Sequence, residues 1–287
     1  MKDFLLSRPP VPLVQSPAFA TAVRHLGGQA ELRALPDGGS VVTVSRRLPL
    51  RRALRMVSRG PVFGAHTAPE DRLACLRGLR LHVVNAPDPD AGPMLRAAGF
   101  GQVMTAATVA QLTTQPDLDR QLANARPKWR SDARQGLRAG LDLWCRPFET
   151  GRDGWLLTRD LAAQRRKGYR ALPPALLRAL HHVAPGDLTM AGADLDGRTV
   201  AAMLFIRHGT CATYQIGWSG ALGRRDRAHH AMLAHVAPRF HASGVTQIEL
   251  GMLDTAATPG LARFKLGSGA RPQTLGGTWI RMPGWRG

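Results

Sequence analysis

Apolar residues in the first third of the chain recur at two different periods. Helical spacing over Ser16 to Leu26 and Met94 to Ala98 predicts two helices, whereas alternation over Glu31 to Leu35, Ser40 to Ser45, Leu79 to Val84 and Gln102 to Leu112 predicts strands. Asn85 to Gly92, NAPDPDAG, reads as a turn-rich break. Asp117 to Gly140 is helical in pattern but interrupted at Pro127, which suits the first turn of a second helix because no N–H is needed there; Gly140 would end it. A strand at Leu141 to Phe148 and helices at Asp153 to Arg166 and Pro174 to His182 follow. Leu188 to Leu195 and Thr199 to Arg207 flank Asp196-Gly197, a strong two-residue hairpin signal, and Thr210 to Trp218 pairs next across His208-Gly209. Asp226 is the expected N-cap of a helix whose apolar residues Met232, Leu233, Val236 and Phe240 share a face, with Pro238 kinking its last turn. A strand at Gln247 to Gly251, a short helix at Pro259 to Lys265 and a strand at Gln273 to Arg281 complete the order.

Helices and strands interleaved in this way predict an α/β (α+β) fold without a fixed-period repeat. The 287 residues exceed one ordinary core, so two units are expected, 1–113 and 114–287, meeting near Thr113 to Pro116.

Composition changes the picture in three respects. Hydrophobic residues at 44% and charged residues at 21% exclude a mainly disordered chain. The formal net charge of +19 creates a field that attracts nucleic acid, phosphorylated metabolites or anionic lipid without choosing among them. Its cations are spread along the chain, and aromatic residues are sparse at 6%, which weakens the case for a dedicated nucleic-acid surface. Cys75, Cys145 and Cys211 are isolated, which fits a reducing, cytoplasmic compartment and no zinc site. The opening MKDFLLSRPPVPLV is too interrupted by proline for a signal peptide, and no stretch approaches the roughly 18 apolar residues of a membrane span.

Lysine is rare: Lys2, Lys128, Lys167 and Lys265 are the four among 39 basic residues. Where arginine serves nearly everywhere else, a retained internal lysine marks a place for a compact ammonium; an interchangeable, solvated cation is the plain alternative. Lys265 sits in GLARFKLGSGA and could stabilise an oxyanion or a phosphate, or could simply close a helix. Gly220 to Asp226, with Gly223, Arg224, Arg225 and the following Arg227, precedes a helix N-terminus and suits phosphate, or is an exposed basic loop. Arg126, Arg130, Arg134 and Arg138 form a stripe that, with Lys128, would hold a polyanion or be a solvated face. Lys167 and Tyr169 in RRKGYR could line an acceptor pocket or make a helix-terminal cation cluster. Tyr214 joins them as a substrate-binding position, although its strand suits a core residue with a satisfied hydroxyl. Glu249 and Asp254 flank one strand end and are the general-base expectations. His229, His230, His235 and His241 lack metal spacing and are read as helix-surface residues, with His229 a lesser base option.

RGPVF at Arg59 to Phe63, KWRSDARQGLRAGL at Lys128 to Leu141, ATYQIGWSG at Ala212 to Gly220, IELG at Ile248 to Gly251, and GLARFKLGSGA together resemble the FemAB-like acetyltransferase-domain family of the GNAT superfamily. The resemblance implies tandem GNAT-like domains, each a mixed, mostly antiparallel sheet flanked by helices, with the second carrying the acyl-transfer cleft and Phe264-Lys265 inside it. It implies an N-acyltransferase that uses acyl-CoA (acetyl-CoA), without a metal, to acylate an amine of a small molecule or cell-envelope precursor. An aminoacyl-tRNA-dependent aminoacyltransferase and a non-catalytic basic binding protein are the alternatives. The sequence departs from the GNAT phosphate motif at GALGRRDRAHHAML, Gly220 to Leu233, and has Phe264 where many GNAT enzymes carry a Tyr.

Overall fold

The computed structural model describes residues 10–47 and 53–281, so the opening segment with Lys2 and Pro9 lies outside the described residues. Two compact units divide the chain: residues 1–108 together with 274–287, and residues 109–273. The division departs from the sequence expectation at both ends of the second unit, for reasons visible in the strand pairing.

The first part runs α1 (Pro17–His25), β1 (Gln29–Ala34), β2 (Ser40–Arg47), β3 (Ala53–Ser58), α2 (Pro69–Gly78), β4 (Val83–Asn85), α3 (Ala91–Ala97) and β5 (Phe100–Met104). Ser16 caps α1 by accepting from the Phe19 amide, which satisfies one of the free amides at the helix start. Sequence patterning misses β3 and α2. Only Leu76 of α2 is buried, so the helix has almost no apolar stripe to read.

The second part runs β6 (Thr108–Thr113), α4 (Leu118–Ala123), α5 (Pro127–Leu137), β7 (Asp142–Pro147), α6 (Thr150–Lys167), α7 (Pro174–Val183), β8 (Leu188–Leu195), β9 (Arg198–His208), β10 (Cys211–Ser219), α8 (Ala221–Arg225), α9 (Ala228–Ala242), β11 (Gln247–Met252), α10 (Pro259–Gly267) and β12 (Arg271–Thr274); β13 (Thr278–Arg281) closes the chain. Asp196 and Gly197 both take positive φ, 51° and 72°, the geometry of the expected hairpin turn. The alternating run from Gln102 to Leu112 is two strands, β5 and β6, and Gln273 to Arg281 spans β12 and β13; each pair is shared between the two sheets. Strand β13 pairs with β4 and β5, which returns the chain's last described segment to the first unit.

The first sheet has the order β1-β2-β3-β4-β13-β5 and the second β12-β6-β11-β10-β9-β8-β7. Among the pairings with described register, β3 with β4 and β10 with β11 are parallel and the rest antiparallel. Both sheets are therefore mixed and mostly antiparallel, with helices packed on them. The core of the second unit joins Met203, Phe205 and Ile248 of the sheet to Met232, Val236 and Phe240 of α9 and Trp129 of α5. At roughly 1.5–3 kcal/mol per fully buried large apolar side chain, this cluster fixes α5 and α9 on the sheet.

Candidate functional site

The parallel seam of the second sheet is short. Strand β10 meets β11 only at Cys211, Ala212 and Thr213, opposite Gln247, Ile248 and Glu249. Beyond that point β10 continues to Ser219 without β11, and its pairing with β9 slips between Tyr214 and Ile216. A bulge of this kind leaves the backbone of Gln215 outside the ladder. On the other side, β11 loses register against β6 between Glu249 and Met252. Both strands thus become irregular at one level, and Gly217 is exposed although β10 is an inner strand. The result is a gap between two parting strand ends.

Lys265 lies at this gap. It is only 5% exposed, and its Nζ donates to the Met252 carbonyl at 2.7 Å, at the end of β11. Burial pulls its pKa down to about 8, opposed by the Glu249 carboxylate, so the group is still mainly an ammonium at neutral pH. Glu249, half-buried, accepts from Gln111 Nε2 at 3.2 Å and acts as the nearby counter-charge. Helix α10 is held in place by α5: the Arg126 amide donates to the Gly267 carbonyl at 2.9 Å. A Cβ at Gly267 would come within 2.8 Å of Trp129 Cδ1, so glycine permits the close approach. The rare lysine is thus a buried cation on a pinned helix.

On the same helix, Phe264 packs against Trp129, His229 and His230. His230 is 5.3 Å from Trp129 and 5.1 Å from Phe264, centre to centre, and His229 is 6.2 Å from Phe264. His229 Nε2 is bonded to the Trp218 carbonyl at 2.9 Å, in the part of β10 that has left β11. These two are half-buried, which corrects the expectation of surface histidines; the start of α9 is turned toward β10 and α10. Burial lowers both pKa values, that of His230 to about 4, and keeps the rings neutral. His241 is exposed, as read from the sequence.

The expected phosphate loop has a different form. Residues Ala221–Arg225 make the short helix α8, and the residue before α9 is Arg227, at φ 55°, rather than Asp226. Asp226 instead pairs with Arg225 through two bonds of 2.7 and 2.8 Å, which lowers the carboxyl pKa. Arg224 donates to the Ser219 carbonyl, and Arg227 faces Asp132 at 3.4 Å. Gly220 donates its amide to the Val200 carbonyl at 2.8 Å, and Gly223 packs against the same carbonyl with no room for a Cβ. The loop is basic, but its arginines are partly engaged by the chain itself.

The remaining sequence-selected residues fall into separate groups. Tyr169 donates its hydroxyl to Asp160 Oδ1 at 2.7 Å, and Asp160 also accepts from Gln164. Tyr214 is near enough to this pair to feel both; burial first, then their charges, raise its pKa. Its hydroxyl lies directly over Gly217. Lys128 pairs with Asp132 one turn along α5, while its own side chain stays largely exposed. Arg130 donates to the carbonyls of Ala123 and Ala125, ending α4 rather than facing a ligand. Lys167 is exposed at the end of α6. Asp254 is exposed, and its Oδ1 accepts from the amides of Ala256 and Ala257, a turn-forming role.

Sequence reasoning passed over Asp132 and Asp160, the buried acids that organise these groups. Their partners stand four residues away on the same helix, Lys128 to Asp132 and Asp160 to Gln164, and that spacing was the available signal. Among the described residues no set of three or more His, Cys, Asp or Glu is placed to hold a metal ion, and no helix is long and apolar enough to cross a membrane.

Comparison with solved structures finds FemX at 16% identity and a TM-score of 0.80, over 98% of this chain and 94% of that one. A protein of unknown function from Bacteroides thetaiotaomicron VPI-5482 matches at 14% identity and a TM-score of 0.61, over 97% and 95%. L-PGS from Bacillus licheniformis matches at 11% and 0.51, over 96% and 94%. At these identities the likeness concerns the fold. No curated protein sequence matches the chain. Residues 120–269, which hold the parting strands, Lys265 and the histidines, match the model of the acetyltransferase (GNAT) domain. The chain belongs to that family, and over nearly its whole length it shares the fold of FemX.

Proposed function

We propose that the protein is an N-acyltransferase in which an amine attacks an activated carboxyl group held between the parting ends of β10 and β11. One observation carries the reading: the seam opens where a buried ammonium, Lys265, stands against the end of β11. Attack on a thioester or ester carbonyl develops negative charge on oxygen, and a preorganised cation in a poorly solvated place stabilises that charge far better than water does. The β10 bulge at Gln215 adds backbone outside the ladder for the same oxygen. Glu249 keeps Lys265 charged, and Tyr214, Tyr169 and Asp160 line the acceptor side. No covalent intermediate on the enzyme is required.

Acyl-CoA, such as acetyl-CoA, is the donor of the first reading, with Gly220, Gly223, Arg224, Arg225 and Arg227 near its phosphates and a small-molecule or envelope-precursor amine as acceptor. Aminoacyl-tRNA is the second. It is favoured by the net charge of +19 and by loop arginines already engaged with Asp226, Asp132 and Ser219, an arrangement better matched to diffuse backbone charge than to one pyrophosphate. Cys75, Cys145 and Cys211 form no disulfide, which agrees with a cytoplasmic setting. Thermal melts with acetyl-CoA, longer acyl-CoAs and total tRNA test the donor, because a ligand of the folded state raises the melting temperature by mass action. A rise with acyl-CoA supports the first reading and a salt-sensitive rise with tRNA alone supports the second. No rise with any of them removes both.

A further inference from the structure

Resting on the acyl-transfer reading, we infer that His229 is the proton carrier of the reaction: Nδ1 of its ring takes the proton from the attacking nitrogen and returns it to the leaving group. The geometry begins with Nε2. A carbonyl oxygen can only accept, so the 2.9 Å contact with the Trp218 carbonyl requires Nε2 to carry the hydrogen. In the neutral ring the lone pair then belongs to Nδ1. Nδ1 bonds to no described residue, and it is not among the fully buried polar atoms that lack a partner, so it remains open to solvent or ligand. His235, also on α9, differs: its Nε2 is buried and unpaired.

Position supports the same role. Trp218 belongs to the stretch of β10 beyond the last pair with β11, and Phe264, 6.2 Å from the ring centre, is the residue before Lys265. His229 therefore bridges the open strand end and the helix that carries the ammonium. The charged and titratable groups acting on it are Arg224 on α8 and His230 on its own helix, and neither favours a second positive charge beside it. With burial, they keep the imidazole neutral at pH 7, ready to accept a proton, and make the imidazolium quick to give it up. The balance closes without another reagent. The nitrogen–carbon bond forms as its N–H proton passes to Nδ1; the carbon–sulfur or carbon–oxygen bond breaks, and the same proton moves to the departing thiolate or alkoxide. Glu249, engaged by Gln111 and Lys265, and Asp254, engaged by its own turn, are less free to do this.

The test uses the full chain with acetyl-CoA or charged total tRNA as donor, and ethanolamine or hydroxylamine as acceptor. Hydroxylamine is unprotonated at neutral pH and needs little help from a base. His229→Gln keeps an N–H for the Trp218 carbonyl but has no basic nitrogen. Expected are a loss of about 100-fold or more in kcat with ethanolamine, loss of the acidic limb of the pH profile, and a much smaller loss with hydroxylamine. Equal losses with both acceptors would mean positioning alone, and a wild-type rate would remove His229; either outcome overturns the inference while transfer by the wild type upholds the parent reading. Transfer by the wild type from neither donor to either amine overturns both. Independently of turnover, long-range proton–nitrogen NMR of the free protein should show the His229 ring protonated at Nε2 and bare at Nδ1 at pH 7. An Nδ1–H tautomer or a cationic ring contradicts the inference.

Discussion

The two sheets each contain a parallel seam, and the seams end differently. In the first unit β3 and β4 stay paired to their last residues, Ser58 opposite Asn85, and polar bonds continue the closure: Asn85 Nδ2 donates to Ser58 Oγ at 3.0 Å, the Arg59 amide to the Asn85 carbonyl at 2.7 Å, and Thr278 Oγ1 to Asn85 Oδ1 at 2.9 Å. In the second unit β10 and β11 separate after Thr213 and Glu249, and a buried lysine and a half-buried histidine gather where they part. One strand pattern thus yields a closed seam that stabilises and an open one that can admit a ligand. On the acyl-transfer reading, the chemistry belongs where the β10–β11 hydrogen bonds stop.

Removing the cation from the open seam should have the largest effect. Lys265→Met is expected to lower turnover about 10²- to 10³-fold, as loss of a preorganised oxyanion partner does. Melting should stay level or rise, because the variant no longer buries a charge. Steady-state rates and a thermal melt check both halves; wild-type turnover would remove Lys265 from the chemistry.

Filling the open seam should matter next. In Gly217→Ala the new methyl group collides with the Tyr214 hydroxyl beside the gap and forces it to move. A roughly 10- to 100-fold loss of kcat/KM is expected from the misplaced geometry, together with an overpacking cost of about 1–3 kcal/mol in chemical denaturation. A marked loss of stability with unchanged kinetics would mean that this stretch of β10 is merely core.

The closed seam should respond in the opposite way. Asn85→Ala leaves the partners in Ser58 and Thr278 unpaired and should cost about 1–3 kcal/mol in chemical denaturation, with kcat within a factor of about two. The smallest effect concerns pH. Lys265 has a folded-state pKa of about 8, below the ordinary lysine value of 10.5, so the cost of burying its charge is present in full below pH 8 and fades as pH rises to 10.5. Turnover should therefore decline above pH 8 while this residue's contribution to stability improves, a divergence readable from paired rate and melting profiles. In Lys265→Met the alkaline limb of the rate profile should disappear.

Much of this was legible where local chemistry decides structure. Pro127, Pro174 and Pro259 each open the helix that their missing N–H suits, and Asp196-Gly197 makes its turn. Rarity of lysine pointed to Lys265. Alternation reports which face a residue takes but not which sheet receives it, so the runs at Gln102 to Leu112 and Gln273 to Arg281 concealed a change of sheet. Asp226 has the side chain of an N-cap, yet Arg225 claims it and α8 fills the expected loop. His229 was obscure for a similar reason: helical spacing places it on α9 but cannot show that the Trp218 carbonyl will orient its ring.

The comparison is tested most directly by hydrogen–deuterium exchange with and without donor. Donor binding at the open seam should slow exchange in Tyr214 to Gly220 and at the start of α9 on adding acetyl-CoA or aminoacyl-tRNA, and leave Ala53–Ser58 and Val83–Asn85 unchanged. Protection confined to β3 and β4, with β10 exchanging as before, would contradict the assignment of acyl transfer to the open seam.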